Sequence, residues 1–538
     1  LNKREPRNDF SNLARIPSRE HLMVSPKNER FQVNRKTRRK LEREKARIER
    51  RLEAGRHASG DGPVFSASNI RYELADKASA IAHGGIGAIH LLVKKVGLAE
   101  RIDERLQLLK VHAPYHESDH VLNIAYNSLC GGRTLDDIEM RRNDRVFLDA
   151  LGAQSIPDPT TAGDFCRRFE PENLEQLTEA INETRLQVWK QLGPEFIAGT
   201  ARIDADGSTV STKGECKQGM DIAYNGVWGY HPLLVSLANT GEPLSILNRS
   251  GSRPSHEGVV PEFDAAIALC LRAGFKDILL RGDTDFALTA EFDRWDEGGV
   301  RFIFGTDARK SLVTRADQTP DHLYRDHERR AERVVATEPR ARPENVKDII
   351  VRERGYRKLR LHGEEVVEFE YQPGKCTKTY RVVALRKNIT VTRGETALFD
   401  EIRYFFYITN DRTLTADEVV HEAHQRCNQE NLIEQLKNGV RALHAPVNTL
   451  NANGAYMLMA SLAWTLKAWF ALCLPVSPRW QSRHRKERET LLRMEFRAFV
   501  SAITNIPAQI LRTGRRLIFR LLSWNPWETI LFRFLDTA

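Results

Sequence analysis

The chain has 538 residues, 41% of them hydrophobic and 29% charged, with a net charge of +10. That length implies about two to four domains, and the composition excludes a disordered or collagen-like chain. The charge is uneven: residues 1–60 hold 18 basic against 8 acidic side chains, residues 479–538 hold 12 against 5, and the segment between carries −7. Basic ends around an acidic middle suit a protein that grips a polyanion at its edges and holds cations at its centre, although solvated basic tails would give the same count. The seven cysteines, at 130, 166, 216, 270, 376, 427 and 473, include no Cys-x-x-Cys pair. This argues for reduced thiols and against a disulfide framework or zinc site. The charged amino-terminal stretch lacks the apolar segment of a secretory leader.

In chain order, residues 1–65 read as a basic flexible arm. Arg35-Lys36-Thr37-Arg38-Arg39-Lys40 leads into a Glu/Arg/Lys-rich stretch whose opposite charges, Glu44–Arg47 and Lys45–Glu49, have helical spacing. Arg35, Lys36, Arg38, Arg39 and Lys40 are candidate nucleic-acid contacts. Residues 66–194 read as mostly helical, with apolar runs at 78–82 and 89–93, a helix over 121–129 after Ser118-Asp119, and further helix starts at Thr134 and Asp158-Pro159. Gly84-Gly85-Ile86-Gly87 does not follow a strand and reads as a helix boundary, not a phosphate loop. Short helices with basic turns suggest a DNA-binding domain; a plain helical cap on the next domain is the alternative.

From 195 the pattern alternates: strands at 198–210, 227–237 and 243–248, a helix at 259–273, a strand at 278–282, a helix at 287–297 and a strand at 301–305. The order predicts an α/β, ribonuclease-H-like catalytic domain with its first part at 195–306 and its second at 404–475. Residues 307–403 read as an inserted β-rich subdomain, with strands at 348–351, 359–361, 366–371 and 380–385. A helix is expected from Thr415 to about Asn438. Residues 455–474 are apolar over nearly the length of a membrane span, but Lys467 inside them favours a buried core helix. Residues 476–538 read as a basic helical carboxyl-terminal region, where Arg512, Arg515, Arg516 and Arg520 interleave with Leu517, Ile518, Leu521 and Leu522.

Three carboxylate positions stand on three elements of the α/β part: Asp204/Asp206, Asp283 and Glu430. Asp283 follows the apolar run Ile278-Leu279-Leu280-Arg281-Gly282, at the strand end where open α/β sheets keep ligands, although Gly-Asp-Thr-Asp alone fits a solvated turn. On a continuous helix Arg426, Glu430 and Lys437 share one face. Alone they would be a salt-bridge ladder; together with the aspartates they suit a metal-holding carboxylate flanked by phosphate-holding cations. Phosphodiester chemistry is served by two divalent cations roughly 3.5–4 Å apart, and carboxylates suit Mg²⁺. Asp204 and Asp206 face the same side of a strand, so spacing does not choose between them.

These residues resemble the DDE transposases of bacterial insertion sequences in the broad IS-four-like group, and are most similar to the thirteen-eighty insertion-sequence family. The resemblance covers about 70–475 and rests on Asp204-Ala205-Asp206-Gly207-Ser208-Thr209, Tyr230-His231-Pro232-Leu233-Leu234, Arg281-Gly282-Asp283-Thr284-Asp285-Phe286 and the stretch 426–437. The group's Tyr-x-x-Arg-x-x-x-Glu-x-x-x-x-x-x-Lys motif is met at Arg426, Glu430 and Lys437, while its tyrosine position is Ala423, with His424 beside it. The resemblance implies Asp206, which precedes small hydroxyl residues, as the first ligand, with Asp283 and Glu430 completing the metal set. It also implies a β-rich insertion before the glutamate and two Mg²⁺ ions, with Mn²⁺ able to substitute. Its further implications are cleavage of double-stranded DNA at terminal inverted repeats, strand transfer to target DNA, a homodimer, and action at the bacterial nucleoid in the cytoplasm without a membrane. The alternatives are a structure-selective nuclease without strand transfer and a DNA-binding derivative that has lost catalysis.

Overall fold

A nine-stranded mixed sheet runs through the middle of the protein. In this computed structural model residues 35–56, 79–112, 114–327, 357–393, 396–513, 516–522 and 524–536 are described, with Arg71 and Arg354; the first 34 residues and the strand expected at 348–351 lie outside them. Five strands form the centre of the sheet. β1 (Ala201–Gly207), β2 (Leu233–Leu237) and β3 (Glu242–Leu247) are antiparallel neighbours, while β4 (Ile278–Gly282) and β5 (Arg301–Thr306) run parallel to β1 on its other side. β2 and β4 are buried at every position, as strands covered on both faces must be.

The β-rich insertion continues this sheet. β6 (Arg325–Asp326), β7 (Arg357–Tyr371), β8 (Tyr380–Arg393) and β9 (Thr396–Thr409) give the order β6-β7-β8-β9-β5-β4-β1-β2-β3. β9 pairs with β5 over its last four residues, so the boundary expected between 403 and 404 falls inside one strand. Between β1 and β2 the short strands Val210–Ser211, Asp221–Ile222 and Trp228–Tyr230 make a separate three-stranded flap. The strands expected at 198–210 and 227–237 are each shared between the flap and the main sheet.

The helix α1 (Val259–Ala273) buries Phe263, Ala266, Ile267 and Cys270 as its spacing predicts, while Leu271, expected on the same face, is exposed. α2 (Ala416–Gln425) and α3 (Cys427–Glu434) lie beside the central strands, and α4 (Leu450–Leu472) is the core helix. α4 is long and apolar enough to cross a membrane, yet its apolar window is wholly buried inside the protein. Its Lys467 Nζ donates to the Leu492 carbonyl at 2.8 Å and lies 3.7 Å from the Trp464 ring. Helices Glu117–Leu129, Pro159–Cys166 and Pro171–Lys190 pack on α4, so the amino-terminal helices share one hydrophobic cluster with the sheet.

Four expectations need correction. Of the run at 78–82, Ala80–Ile81 is a strand paired with Ala508–Gln509. The helix expected at 287–297 is confined to Phe292–Glu297; Asp283 caps a tight turn over Thr284–Phe286, and Ala287 leaves that turn with non-helical backbone at ψ 66°. The helix expected over 415–438 starts as anticipated, with Thr415 and Glu418 in a capping box, but is interrupted for one residue at Arg426, whose backbone stays helical, and widens into a looser helical turn over Gln435–Gly439. The carboxyl-terminal region is only partly helical: Ala508–Thr513 and Arg516–Leu521 form a hairpin. Ala508 and Ile510 are buried while their neighbours are less so, the period of two that marks a strand.

Candidate active site

Three elements converge at the carboxyl ends of β1 and β4. These strands are parallel neighbours with Asp204 opposite Arg281, so Asp206 and Asp283, each two residues further along, emerge side by side. Asp283 Oδ1 accepts the Asp285 N–H at 3.0 Å, which turns the chain away from the sheet edge. α3 contributes Glu430. Its neighbour Gln429 is buried; the Gln429 amide donates to the Leu234 carbonyl at 3.1 Å and its oxygen accepts from the Ser236 hydroxyl. Both partners lie on β2, so this one side chain ties α3 to the strand beside β1.

Arg426, at the junction of α2 and α3, sits among the three carboxylates. Its Nη1 is 3.5 Å from Asp206 Oδ2 and 4.0 Å from Asp283 Oδ2, and its Nη2 is 3.8 Å from Glu430 Oε1. Nη1 is buried and has no hydrogen-bond partner, so the guanidinium supplies charge without a tight pair. It does not compensate fully. Burial, then the charge of Asp283, pushes the Asp206 carboxyl up to about 7, and burial also raises Asp283. Glu430 is the most open member, with 63% of its side chain exposed. Lys437 stands near enough to feel Asp206, and burial lowers its proton affinity. Among the described residues, no three carboxylate, histidine or cysteine side chains stand close enough to share a metal ion. In this arrangement the positive charge at the centre is Arg426.

Asp204 does not join them. Arg281 donates to it in a fork, Nε to Oδ1 at 2.7 Å and Nη2 to Oδ2 at 2.8 Å, with both side chains 1% exposed. Arg281 also donates to Glu422 Oε2 at 3.0 Å, and Glu422 accepts from Arg202. This buried network claims Asp204 and leaves Asp206 as the carboxylate of the pair that opens onto the cluster, which corrects the inclusion of Asp204 among the catalytic candidates. Arg38, Arg39 and Lys40 are exposed on the helix Arg35–Arg56, whose Lys45–Glu49 and Glu44–Arg47 pairs form at 3.5 and 4.0 Å. No described ion pair or hydrogen bond joins those three cations to the carboxylates; the side chains of Arg35 and Lys36 lie outside the description.

Sequence reasoning missed several residues of the site. Gln429 carries no signal in the sequence. Arg281 does: a guanidinium inside an apolar strand demands a partner. Beside Ala423, Tyr407 of β9 packs into the same small apolar cluster and its hydroxyl lies 3.1 Å from His424 Nε2; burial pushes the phenol up to about 12. His231 is fixed by Nδ1 against the Arg253 carbonyl at 2.9 Å, and its Nε2 lies 2.8 Å from where a side chain on Gly207 would begin. Only glycine fits next to Asp206 there.

Comparison with known proteins gives one broad match. The model of the family described as "Transposase DDE domain group 1" matches residues 67–537. A search of curated proteins found no match. Among solved structures, a chain of "Cryo-EM structure of piggyBac transposase synaptic complex with hairpin DNA (SNHP)" is similar at 10% identity and a TM-score of 0.30, over 77% of this chain and 86% of that one.

Proposed function

Because the chain belongs to the group 1 family of transposase DDE domains, we propose that it moves an insertion sequence by cut-and-paste transposition, cleaving DNA at terminal inverted repeats and joining the freed ends to target DNA. The observation that carries this reading is the meeting of Asp206, Asp283 and Glu430, from β1, β4 and α3, around one cation. The central strand order β3-β2-β1-β4-β5, with the first three antiparallel and the last two parallel to β1, supports a ribonuclease-H-like catalytic domain.

The donor set fits Mg²⁺ or Mn²⁺ in kind: hard carboxylate oxygens, two of them with proton affinity raised chiefly by burial. Drawn closer together than they stand here, Asp206, Asp283 and Glu430 would hold two such ions. A bound divalent pair would activate the attacking oxygen and stabilise the leaving one. The remaining work falls to the chain itself. Arg426 and Lys437 hold phosphate oxygens of the strand being cut. Gln429 keeps α3, and with it Glu430, in register with β1. The Asp204–Arg281–Glu422 network keeps β1 and β4 aligned beneath the two aspartates.

The basic arm, with Arg38, Arg39 and Lys40, would bind double-stranded DNA, and two copies of the chain would pair the element's two ends in the bacterial nucleoid. Within that reading the chain would stand nearest the thirteen-eighty insertion-sequence family, which its motif residues support. A labelled element end, a supercoiled target plasmid and Mg²⁺ or Mn²⁺ test the proposal. Cleavage and joining are expected from the wild type and neither from Asp206→Asn, Asp283→Asn or Glu430→Gln. Cleavage without joining would replace transposition by a nuclease, and full activity in any of the three variants would refute the site.

A further inference from the structure

We infer that the outer edge of β9, at 399–405, is an interface between two copies of this chain, pairing antiparallel with the same edge of a second copy about Ile402. The inference goes beyond the transposase reading: it assigns the contact through which two copies meet, and it stands on this strand alone.

β9 carries an open edge. It pairs with β8 along its length on one side, but on the other β5 covers only 406–409. Among the described residues no strand lies along the rest of that side. Thr306 of β5 stands opposite Phe406 and closes one end, and at the other end the ladder to β8 slips between Phe399 and Ala397. The open stretch is therefore 399–405, which reads Phe-Asp-Glu-Ile-Arg-Tyr-Phe. Native sheets blunt exposed edges with lysine, proline or a covering element. This stretch has neither lysine nor proline, and Ile402 is 55% and Phe405 42% exposed, with Phe399 exposed as well. A flat, apolar edge of this kind is a template for another strand.

The sequence of the edge selects that strand. Antiparallel strands oppose residues whose backbone groups both point in or both point out. A strand that meets its own copy must therefore match even positions with even and odd with odd, which puts one residue on the two-fold axis. Centring on Asp400, Glu401 or Arg403 sets a charge against itself. Centring on Phe399, Tyr404 or Phe405 leaves the axis at most one residue from the end of the open stretch. Centring on Ile402 opposes Phe399 to Phe405, Glu401 to Arg403, Asp400 to Tyr404 and Ile402 to itself. Ile402 is also the midpoint of the open stretch, so every residue of it is used. Opposed aromatic pairs and opposite-charge pairs both stabilise a sheet. Within one copy Arg403 donates to Glu401, Nε to Oε1 at 2.7 Å and Nη2 to Oε2 at 3.0 Å. The second copy sets the same two charges beside them in reverse order, which closes a ring of alternating sign. Asp400 and Tyr404 are engaged within the chain, by Thr390 and Asp317, so Ile402 supplies the contact on their face.

Sedimentation equilibrium of the full chain, without DNA or divalent cation, tests this. The wild type is expected to dimerise. Glu401→Arg and Arg403→Glu each oppose like charges across the axis and should each weaken self-association at least about tenfold; melting midpoints equal to wild type establish that the fold is intact. Mixed together, the two variants should form a heterodimer, because arginine then faces glutamate at both positions; a role confined to one chain gives no such recovery. Ile402→Cys should cross-link into a covalent dimer under mild oxidant faster than the wild type, whose exposed Cys216 and Cys427 set the background. A wild type that stays monomeric at its highest soluble concentration, single variants that dimerise as well as wild type, a mixture that does not associate, or Ile402→Cys cross-linking no faster than background overturns the inference. Cleavage and joining of DNA by the wild type would still leave the transposase reading standing.

Discussion

Two aspartates two residues apart should respond oppositely to the same substitution. Asp206 takes up its proton at about 7 in the folded protein against 3.8 for an ordinary aspartate. The folded chain therefore holds a proton that the unfolded chain has released across that interval. Stability contributed at Asp206 falls as pH rises from about 4 to 7, and the full cost is present above 7. At about 1.4 kcal/mol per tenfold in proton affinity, the cost is bounded at about 4 kcal/mol. Asp206→Asn removes it, so this variant should be more stable than wild type at pH 8, with the gain shrinking towards pH 4. Asp204→Asn breaks the buried fork to Arg281 and leaves a guanidinium short of a partner, which costs about 3 kcal/mol or more at pH 8. Urea unfolding of both variants and the wild type at pH 8 and pH 5, in chelator, reads the difference. An Asp206→Asn variant destabilised at pH 8 as much as Asp204→Asn would refute the assignment of one aspartate to structure and the other to the reactive cluster.

Further outcomes follow from other contacts. Mg²⁺ at a hundred times its dissociation constant should raise the unfolding free energy of the wild type by about 2.7 kcal/mol, and Asp206→Asn combined with Asp283→Asn should abolish that gain in thermal melts. Gln429→Ala strands the Leu234 carbonyl and the Ser236 hydroxyl; it should cost about 1–3 kcal/mol in urea unfolding and slow DNA cleavage by more than the fold loss explains, because Glu430 loses its anchor. Lys467, which burial lowers from 10.5 to about 7, penalises the fold while it must stay charged, below about pH 7, and relaxes as pH rises towards 10. Lys467→Met should therefore stabilise the protein at pH 6, with a gain that fades at pH 10 in the same unfolding assay.

The central fold was legible because its strands are apolar runs and its helix α1 repeats apolar residues at helical spacing; those patterns depend on neighbours a few positions apart. What escaped depends on distant partners. The hairpin at 508–521 alternates cations with aliphatic residues in a way that suits either period, and its pairing with Ala80–Ile81 lies over 400 positions away in the chain. The flap was invisible because Val210 and Trp228–Tyr230 continue the apolar character of β1 and β2, and their pairing with each other and with Asp221–Ile222 depends on partners outside any local period. The insertion was read as a body apart, with the chain rejoining the sheet at 404; the strand that rejoins it, β9, pairs with β8 along its length as well as with β5, so the insertion extends the sheet.

The site divides along the same line. Asp206, Asp283 and Glu430 could be picked out because each combines a carboxylate with a local signal, a strand end or a helical stripe. Choosing Asp206 over Asp204 required the register of β1 against β4, since what disqualifies Asp204 is the residue opposite it, Arg281. The role of Arg426 was hidden because helical spacing relates it only to Glu430 and Lys437, while its approach to the aspartates depends on the distant strands β1 and β4. Its backbone stays helical where α2 passes into α3, and from there one guanidinium nitrogen lies near Asp206 and Asp283 and the other near Glu430. Carboxylates brought near one another repel unless a positive charge lies among them. Here that charge is Arg426, and the proton affinity of Asp206 stays raised because burial, ahead of the charge of Asp283, outweighs it.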